Sequence, residues 1–354
     1  MEFFQEIGLF LAEAVILVTA IIVVIIAIAA ASQRRKGGEE GYIEVRRLND
    51  RYTAFHDAVR SFTEHAETRK VREKAEKKSA KAEQKQARQQ AKEEAGNEDG
   101  KQGDGRLFVL RFQGDIRASE TESLREEISA IAPELRAGDE VLLCLESPGG
   151  MVHSYGLAAS QLHRIRATGA SLTVAVDKVA ASGGYMMACV ADRIISAPFA
   201  VIGSIGVVAQ LPNFHRLLKK NDVDFELLTA GKYKRTLTMF GENTDDGRAK
   251  FVEDLEDTYD LFKDFVVLNR PVVDIEAVAT GEIWYGQRAL DQNLVDELAT
   301  SDAYLQTRLG EIEAFEVRYI PKKSWQEKFG MAAEAGIERT FLRLWQQGAS
   351  RFLP

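Results

Sequence analysis

An α/β fold with a parallel sheet, set behind an apolar N-terminal segment, is what the sequence predicts. Two observations carry the fold class. Short β-rich runs alternate with helical ones from Arg106 onward, the pattern of strands joined by crossover helices. Glycine-containing turns close several of those runs, as at the strand ends of an open parallel sheet. A third observation sets the fold's boundary: a charge-saturated stretch separates the apolar N-terminus from this unit. Length alone, 354 residues, favours about two to three domains. The zoned composition favours one folded unit of residues 106–320, an anchor over 1–33, a charged linker over 34–105 and a helical tail over 321–354.

Residues 14–31 are eighteen uncharged positions dominated by Ile, Val, Leu and Ala, long enough to cross a bilayer as a helix. Ala29 and Ala31 resemble a signal-peptide cleavage site, but Glu2 and Glu6 replace the basic residues expected ahead of one and the run is longer than a signal core. A retained transmembrane helix is therefore expected. Arg34, Arg35 and Lys36 follow the span, which by the positive-inside rule places the long C-terminal part in the cytoplasm.

From Glu64 to Asp99, nineteen of thirty-six residues are charged, ten basic and nine acidic, and no aromatic lies between Phe62 and Phe108. Such a segment has no core of its own, though its Ala, Glu, Lys, Gln and Arg favour a solvated helix. Four glycines between Gly96 and Gly105 read as a joint. The folded unit then begins. Strands are predicted over 107–112, 141–145 and 172–176, and helices over 122–131 and 155–165, the latter with Tyr155, Ala158, Leu162 and Ile165 on one face. Residues 194–209 carry no charge but are broken by Pro198, Gly203 and Gly206, so buried strands with tight turns are expected in place of a second span. Residues 225–229 read as a strand, and 245–268 as a long amphipathic helix with Asp245 as N-cap. Near the end, Ile337, Phe341, Leu344 and Trp345 form an apolar helical stripe.

With 46 Lys and Arg against 54 Asp and Glu the net charge is −8, which argues against a dedicated nucleic-acid binder. Cys144 and Cys189 are the only cysteines. They form neither a disulfide framework nor a zinc site and are expected as small buried hydrophobes.

Three glycine-containing turns are candidates for chemistry: Ser147-Pro148-Gly149-Gly150, Ala181-Ser182-Gly183-Gly184-Tyr185 and Ile202-Gly203-Ser204-Ile205-Gly206. Glycine lets backbone N–H groups approach a ligand, as an oxyanion hole requires. Ser182, between small residues at a helix start, is either that helix's N-cap or a nucleophile. Of the five histidines, His56 and His65 precede the folded unit, His163 sits on the helix after the first turn and is expected as a surface or half-buried residue, and His153 and His215 have no obvious orienting carboxylate, so a Ser-His-Asp triad is unsupported. A lysine base would need its pKa lowered by roughly 3 units, which an apolar pocket can achieve. Physical reasoning leaves Lys178, Lys232 and Lys234 all open.

The ordered set Ser-Pro-Gly-Gly at 147–150, Ala-Ser-Gly-Gly-Tyr at 181–185, Ile-Gly-Ser-Ile-Gly at 202–206 and Gly-Lys-Tyr-Lys at 231–234 resembles the signal peptide peptidase A (protease IV) family. The resemblance implies a ClpP/crotonase-like fold and a serine–lysine dyad in which Ser182 is the nucleophile and Lys234 the general base. It further implies that Ser204 holds the lysine and that the N–H groups of Gly149 and Gly183 form the oxyanion hole, with no metal or cofactor. It also implies a homo-oligomer in which neighbouring subunits can complete a site, polypeptide substrates with extended apolar segments, and a bacterial inner-membrane protein whose catalytic domain faces the periplasm. That last expectation conflicts with the basic flank. A crotonase-like acyl-CoA enzyme and a catalytically inactive membrane scaffold are the alternatives.

Overall fold

A computed structural model describes residues 41–65, scattered positions between 67 and 85, and residues 105–322. The expected span at 14–31, most of the charged linker and its joint, and the stripe from Ile337 to Trp345 lie outside the described residues. Among the described residues no helix is long and apolar enough to cross a membrane. The chain divides into two units, residues 1–42 with 320–354, and residues 43–319. The second holds the site.

The expected alternation is present. Strands β2 (Leu107–Gln113), β3 (Glu140–Glu146) and β4 (Ser171–Val176) are joined by helices α2 (Thr121–Ile131) and α3 (Val152–Arg166). The three strands pair in parallel, Leu107 against Glu140 and Glu140 against Ser171. Their side chains alternate between two cores, as a pleat requires. Phe108, Leu110 and Phe112 of β2 and Val141, Leu143 and Leu145 of β3 enter the larger core with Leu124, Ile128, Leu162 and Ile165 of the helices. Leu107, Val109 and Leu142 enter the smaller one on the opposite face. Burial on both faces explains why these strands read as continuous apolar runs.

Beyond β4 the chain forms β5 (Val179–Ala181), α4 (Gly183–Ala188), β6 (Arg193–Ser196) and β7 (Val201–Gly203). The uncharged stretch from Ile194 is thus two buried strands and their turns. An exposed arm follows, carrying the short helix α5 (His215–Lys220), and then the long helix α6 (Asp245–Asn269). The N-cap of α6 is Thr244, whose hydroxyl accepts from the Gly247 amide; Asp245, the expected cap, is the first helical residue and sits favourably at the positive end of the dipole. The unit is completed by α7 (Ile275–Val278), β8 (Ile283–Tyr285), α8 (Gly286–Asp291), β9 (Glu297–Leu298), α9 (Ser301–Leu309) and β10 (Ala314–Ile320).

Residues 42–63, within the segment the sequence assigns to the linker, form β1 (Tyr42–Arg47) and α1 (Leu48–Thr63). The seven-stranded sheet has the order β1-β10-β2-β3-β4-β6-β9, and a three-stranded sheet has the order β5-β7-β8. Leu48 is buried in the smaller core with Leu305 of α9. Asn49 ties α1 to the β10 approach, donating to the carbonyls of Leu309 and Ile312 and accepting from the Ala314 amide.

Candidate active site

The small sheet brings the three glycine turns to one place. β5 pairs in parallel with β7, Ala181 against Gly203, and on its other side Ser147 bridges Ala180. The Ser147 amide donates to the Val179 carbonyl at 2.8 Å and the Ala181 amide to the Ser147 carbonyl at 3.0 Å. The ends of β3, β5 and β7 are therefore side by side, at the carboxyl edge of parallel strands, where sites form in such sheets.

Ser182 sits at the junction of β5 and α4 with φ 52° and ψ −119°, a conformation sparsely populated by residues with a Cβ. Its amide donates to the Gly203 carbonyl at 2.7 Å and its carbonyl accepts from the Met186 amide at 2.9 Å. Both ends of the residue are pinned. Its hydroxyl makes no capping bond to α4, so the bland alternative of a capping serine is not what this geometry shows. The side chain is half-buried and presents a free Oγ.

Gly149 has φ +90°, and a Cβ there would lie 2.8 Å from both the Ser182 Cβ and the Gly183 nitrogen. Only glycine fits that approach. The Gly183 amide is the first of α4, with no partner inside the helix and no acceptor among the described residues. The Gly149 amide donates to the Ser147 hydroxyl at 3.1 Å. Ser204 follows the Gly203 carbonyl that holds Ser182; its φ is 49° and its hydroxyl donates to the Gly281 carbonyl at 3.4 Å.

Lys234 is not in this cluster. It is exposed on the arm between β7 and α6, and no hydrogen bond links its ammonium to Ser182 or Ser204. From 208 to 243 only Gly241 is buried. The arm has local order of its own: Phe214 stacks on Phe240 at 6.0 Å, Phe225 packs on Phe240 at 5.8 Å, and Asn213 donates to the carbonyls of Thr238 and Gly241. Residues 225–229, expected as a strand, form none. The other lysine candidates are engaged elsewhere, Lys178 with Glu146 at 2.9 Å and Lys232 over the Tyr233 ring.

No histidine side chain bonds to Ser182 among the described residues; His153 is exposed and His163 packs edge-on against Phe265. Burial pushes the Cys144 thiol up to about 11 and the Cys189 thiol up to about 12, so neither is a thiolate nucleophile near neutrality. Cys189 is buried as expected and Cys144 only partly so. A cavity of about 620 Å³ lies at the opposite strand ends, lined by Glu140, Thr173, Arg193, Tyr304 and Arg308 among others. Glu140 is occupied there by Thr173, Tyr304 and Arg308, and none of the three glycine turns reaches it.

Two residues beside the cluster were not legible as site residues. Ser147 and Tyr155 are both fully buried, and their hydroxyls lie 2.6 Å apart under the Gly149 turn. Ser147 reads as an ordinary turn residue and Tyr155 as one of a helical core stripe.

Comparison with known proteins places the chain. Residues 2–162 match the family description "Peptidase family S49 N-terminal" and residues 164–311 match "Peptidase family S49". A "Probable protease SohB" from Haemophilus influenzae is 56% identical over 294 residues, covering 83% of each chain. Another from Buchnera aphidicola subsp. Acyrthosiphon pisum is 54% identical over 244 residues, 69% of this chain and 73% of that one. "Protease 4" of Haemophilus influenzae is 26% identical over 203 residues, 55% of this chain and 33% of its own length. By both the matched residues and the extent of the likeness, the chain belongs to peptidase family S49.

Proposed function

We propose that the protein is a membrane-anchored serine endopeptidase with a ClpP/crotonase-like fold, and that Ser182 and Lys234 form its catalytic dyad. The observation that carries the proposal is the state of Ser182: a strained backbone, an uncapped hydroxyl, and the amides of Gly183 and Gly149 beside it. Ser182 Oγ attacks the peptide carbonyl while neutral Lys234 takes its proton. The amides of Gly149 and Gly183 stabilise the oxyanion, the lysine ammonium protonates the leaving amine, and water releases the acyl-enzyme. The Gly149 amide turns from the Ser147 hydroxyl toward the developing charge. Ser204 holds the lysine in the assembled site.

Lys234 reaches Ser182 from a second copy of the chain. The exposure of the whole arm supports this, as do the apolar side chains it leaves in solvent, Leu228, Val208 and Leu217 among them, which suit a contact between subunits of a homo-oligomer. Substrates are extended apolar polypeptide segments, such as signal-peptide remnants or misfolded envelope proteins, bound by strand addition. Exposed Ile116, Met151 and Val152 flank the Gly149–Gly150 turn and suit such side chains. The apolar segment 14–31 anchors the chain in the bacterial inner membrane with the catalytic domain on the periplasmic side.

The test uses the detergent-solubilised full chain and an unfolded apolar polypeptide. Ser182→Ala and Lys234→Ala should each abolish cleavage. Mixed in equal amounts under conditions of subunit exchange, the two inactive variants should recover about a quarter of parental activity, because half the Ser182-bearing subunits meet a Lys234-bearing neighbour at half the sites. Retained cleavage in either single variant sinks the dyad. A mixture that stays inactive sinks donation by the neighbour.

A further inference from the structure

Beneath the glycine turns runs a chain of buried hydroxyls whose donor directions are settled by chemistry. The Tyr155 phenol donates to the Asp115 carbonyl at 2.7 Å, because a carbonyl only accepts. Its single proton is then committed, so in the 2.6 Å contact with Ser147 the serine must donate. The Ser147 oxygen keeps its lone pairs for the Gly149 amide, which donates to it at 3.1 Å. All the hydrogen bonds therefore run one way, from the Gly149 N–H through Ser147 and Tyr155 to the Asp115 carbonyl, and bonds so aligned polarise one another.

The far end of the chain is anchored. The Asp115 carboxylate accepts from the amides of Arg117 and Ser119 at 3.0 and 2.9 Å and from the Ser119 hydroxyl at 2.8 Å. The next carbonyl, that of Ile116, accepts from the Met151 amide at 2.8 Å. Tyr155 also packs against Gly183, the residue that carries the other amide of the site. A Cβ on Gly183 would lie 2.4 Å from the Tyr155 Cγ, and a Cβ on Gly114 would lie 2.4 Å from the phenol oxygen. One side chain thus reaches Gly149 through the Ser147 hydroxyl and packs its ring against Gly183.

We propose that Tyr155, acting through Ser147, is a positioning residue that sets the Gly149 amide relative to the Gly183 amide so that both point at one oxyanion. The proposal rests on the assignment of those two amides as the oxyanion donors. Ser147 is the resting acceptor that holds the Gly149 amide in place and desolvated between turnovers, from which it turns to the oxyanion, and Tyr155 keeps the Ser147 lone pair facing that amide.

The test compares the full chain with its Tyr155→Phe and Ser147→Ala variants. Phenylalanine keeps the ring under Gly183 and removes only the hydroxyl. Two readouts are taken: steady-state cleavage of an unfolded apolar polypeptide, and amide hydrogen exchange of the peptide spanning Gly149. In Tyr155→Phe, kcat should fall about 10- to 100-fold with KM within about twofold, the signature of a donor misplaced in the transition state alone. Exchange at Gly149 should quicken about tenfold in both variants while α3 keeps its protection. Unchanged exchange in both variants overturns the relay, and quickened exchange with unchanged kcat overturns its role in catalysis. Failure of the proposed function is seen separately, as cleavage that survives Ser182→Ala or is absent from the parent; the exchange result still decides the relay.

Discussion

Replacing Ser182 by glycine should stabilise the protein while abolishing cleavage, and the size of the gain follows from the backbone. At φ 52° and ψ −119° a residue with a Cβ carries strain of about 1–3 kcal/mol. Glycine adopts this conformation freely, but brings a chain-entropy cost of about 0.5–1 kcal/mol relative to alanine. The hydroxyl takes no bonds with it, because Ser182 Oγ has no partner among the described residues. The net expectation is a gain of about 1 kcal/mol, which in a folded unit of this size raises Tm by about 2–4 °C. Ser182→Ala is the control: it keeps the Cβ and hence the strain, and should match the parent within about 0.5 kcal/mol. The assay is thermal or urea denaturation of the full chain and both variants side by side, requiring unchanged urea slopes. A glycine variant no more stable than the alanine variant would refute strain at Ser182. The same result would weaken the inference that its backbone is held for chemistry.

Two further outcomes test the frame around the site. Arg270 is buried and donates to Asp296 at 2.8 and 3.1 Å and to the Asn293 carbonyl; Asp296→Ala should cost about 3 kcal/mol in urea denaturation by leaving that guanidinium without its counter-charge, and adding Arg270→Met should recover much of the loss. Glu127 is buried with one carboxylate oxygen unpartnered, and burial pushes its carboxyl up to about 7 against the Tyr319 amide that donates to it. Because the folded state holds this proton and the unfolded chain releases it near pH 4.5, the group's stabilising protonated state is lost as pH rises between those values. Glu127→Gln should therefore stabilise the protein by about 2 kcal/mol at pH 8 and by nothing measurable at pH 4, as read by denaturation at the two pH values.

The parts of the fold legible in sequence are those whose signal is local and repeated. β2, β3 and β4 lie between two cores, so their apolar runs are long enough to read, and α3 shows its buried face at helical spacing. β1 and α1 escape for the converse reason: the strand Tyr42–Arg47 has no buried residue, and Leu48 is the one buried anchor of the helix that follows. Phe225, Leu227 and Leu228 mislead in the other direction, since strand-forming side chains on an exposed arm find no backbone to pair with.

The site divides along the same line. Gly149 and Gly203 announce themselves because a close approach or a positive φ admits few residue types, a constraint written at single positions, whereas Ser182 by itself reads equally as a helix N-cap or a nucleophile. Ser147 and Tyr155 do not, because their roles exist only where the end of β3 crosses α3, and each alone looks like an ordinary turn serine or core tyrosine. Lys234 is further from local reasoning still. Its residue type suits a base, yet within one chain it stands on an exposed arm, and the proposed contact with Ser182 of a second copy is one that no spacing along the sequence encodes. The strain at Ser182 is built within one chain. If, as proposed, Lys234 of a second copy takes the Ser182 proton, an isolated subunit would not cleave polypeptides before the oligomer has formed.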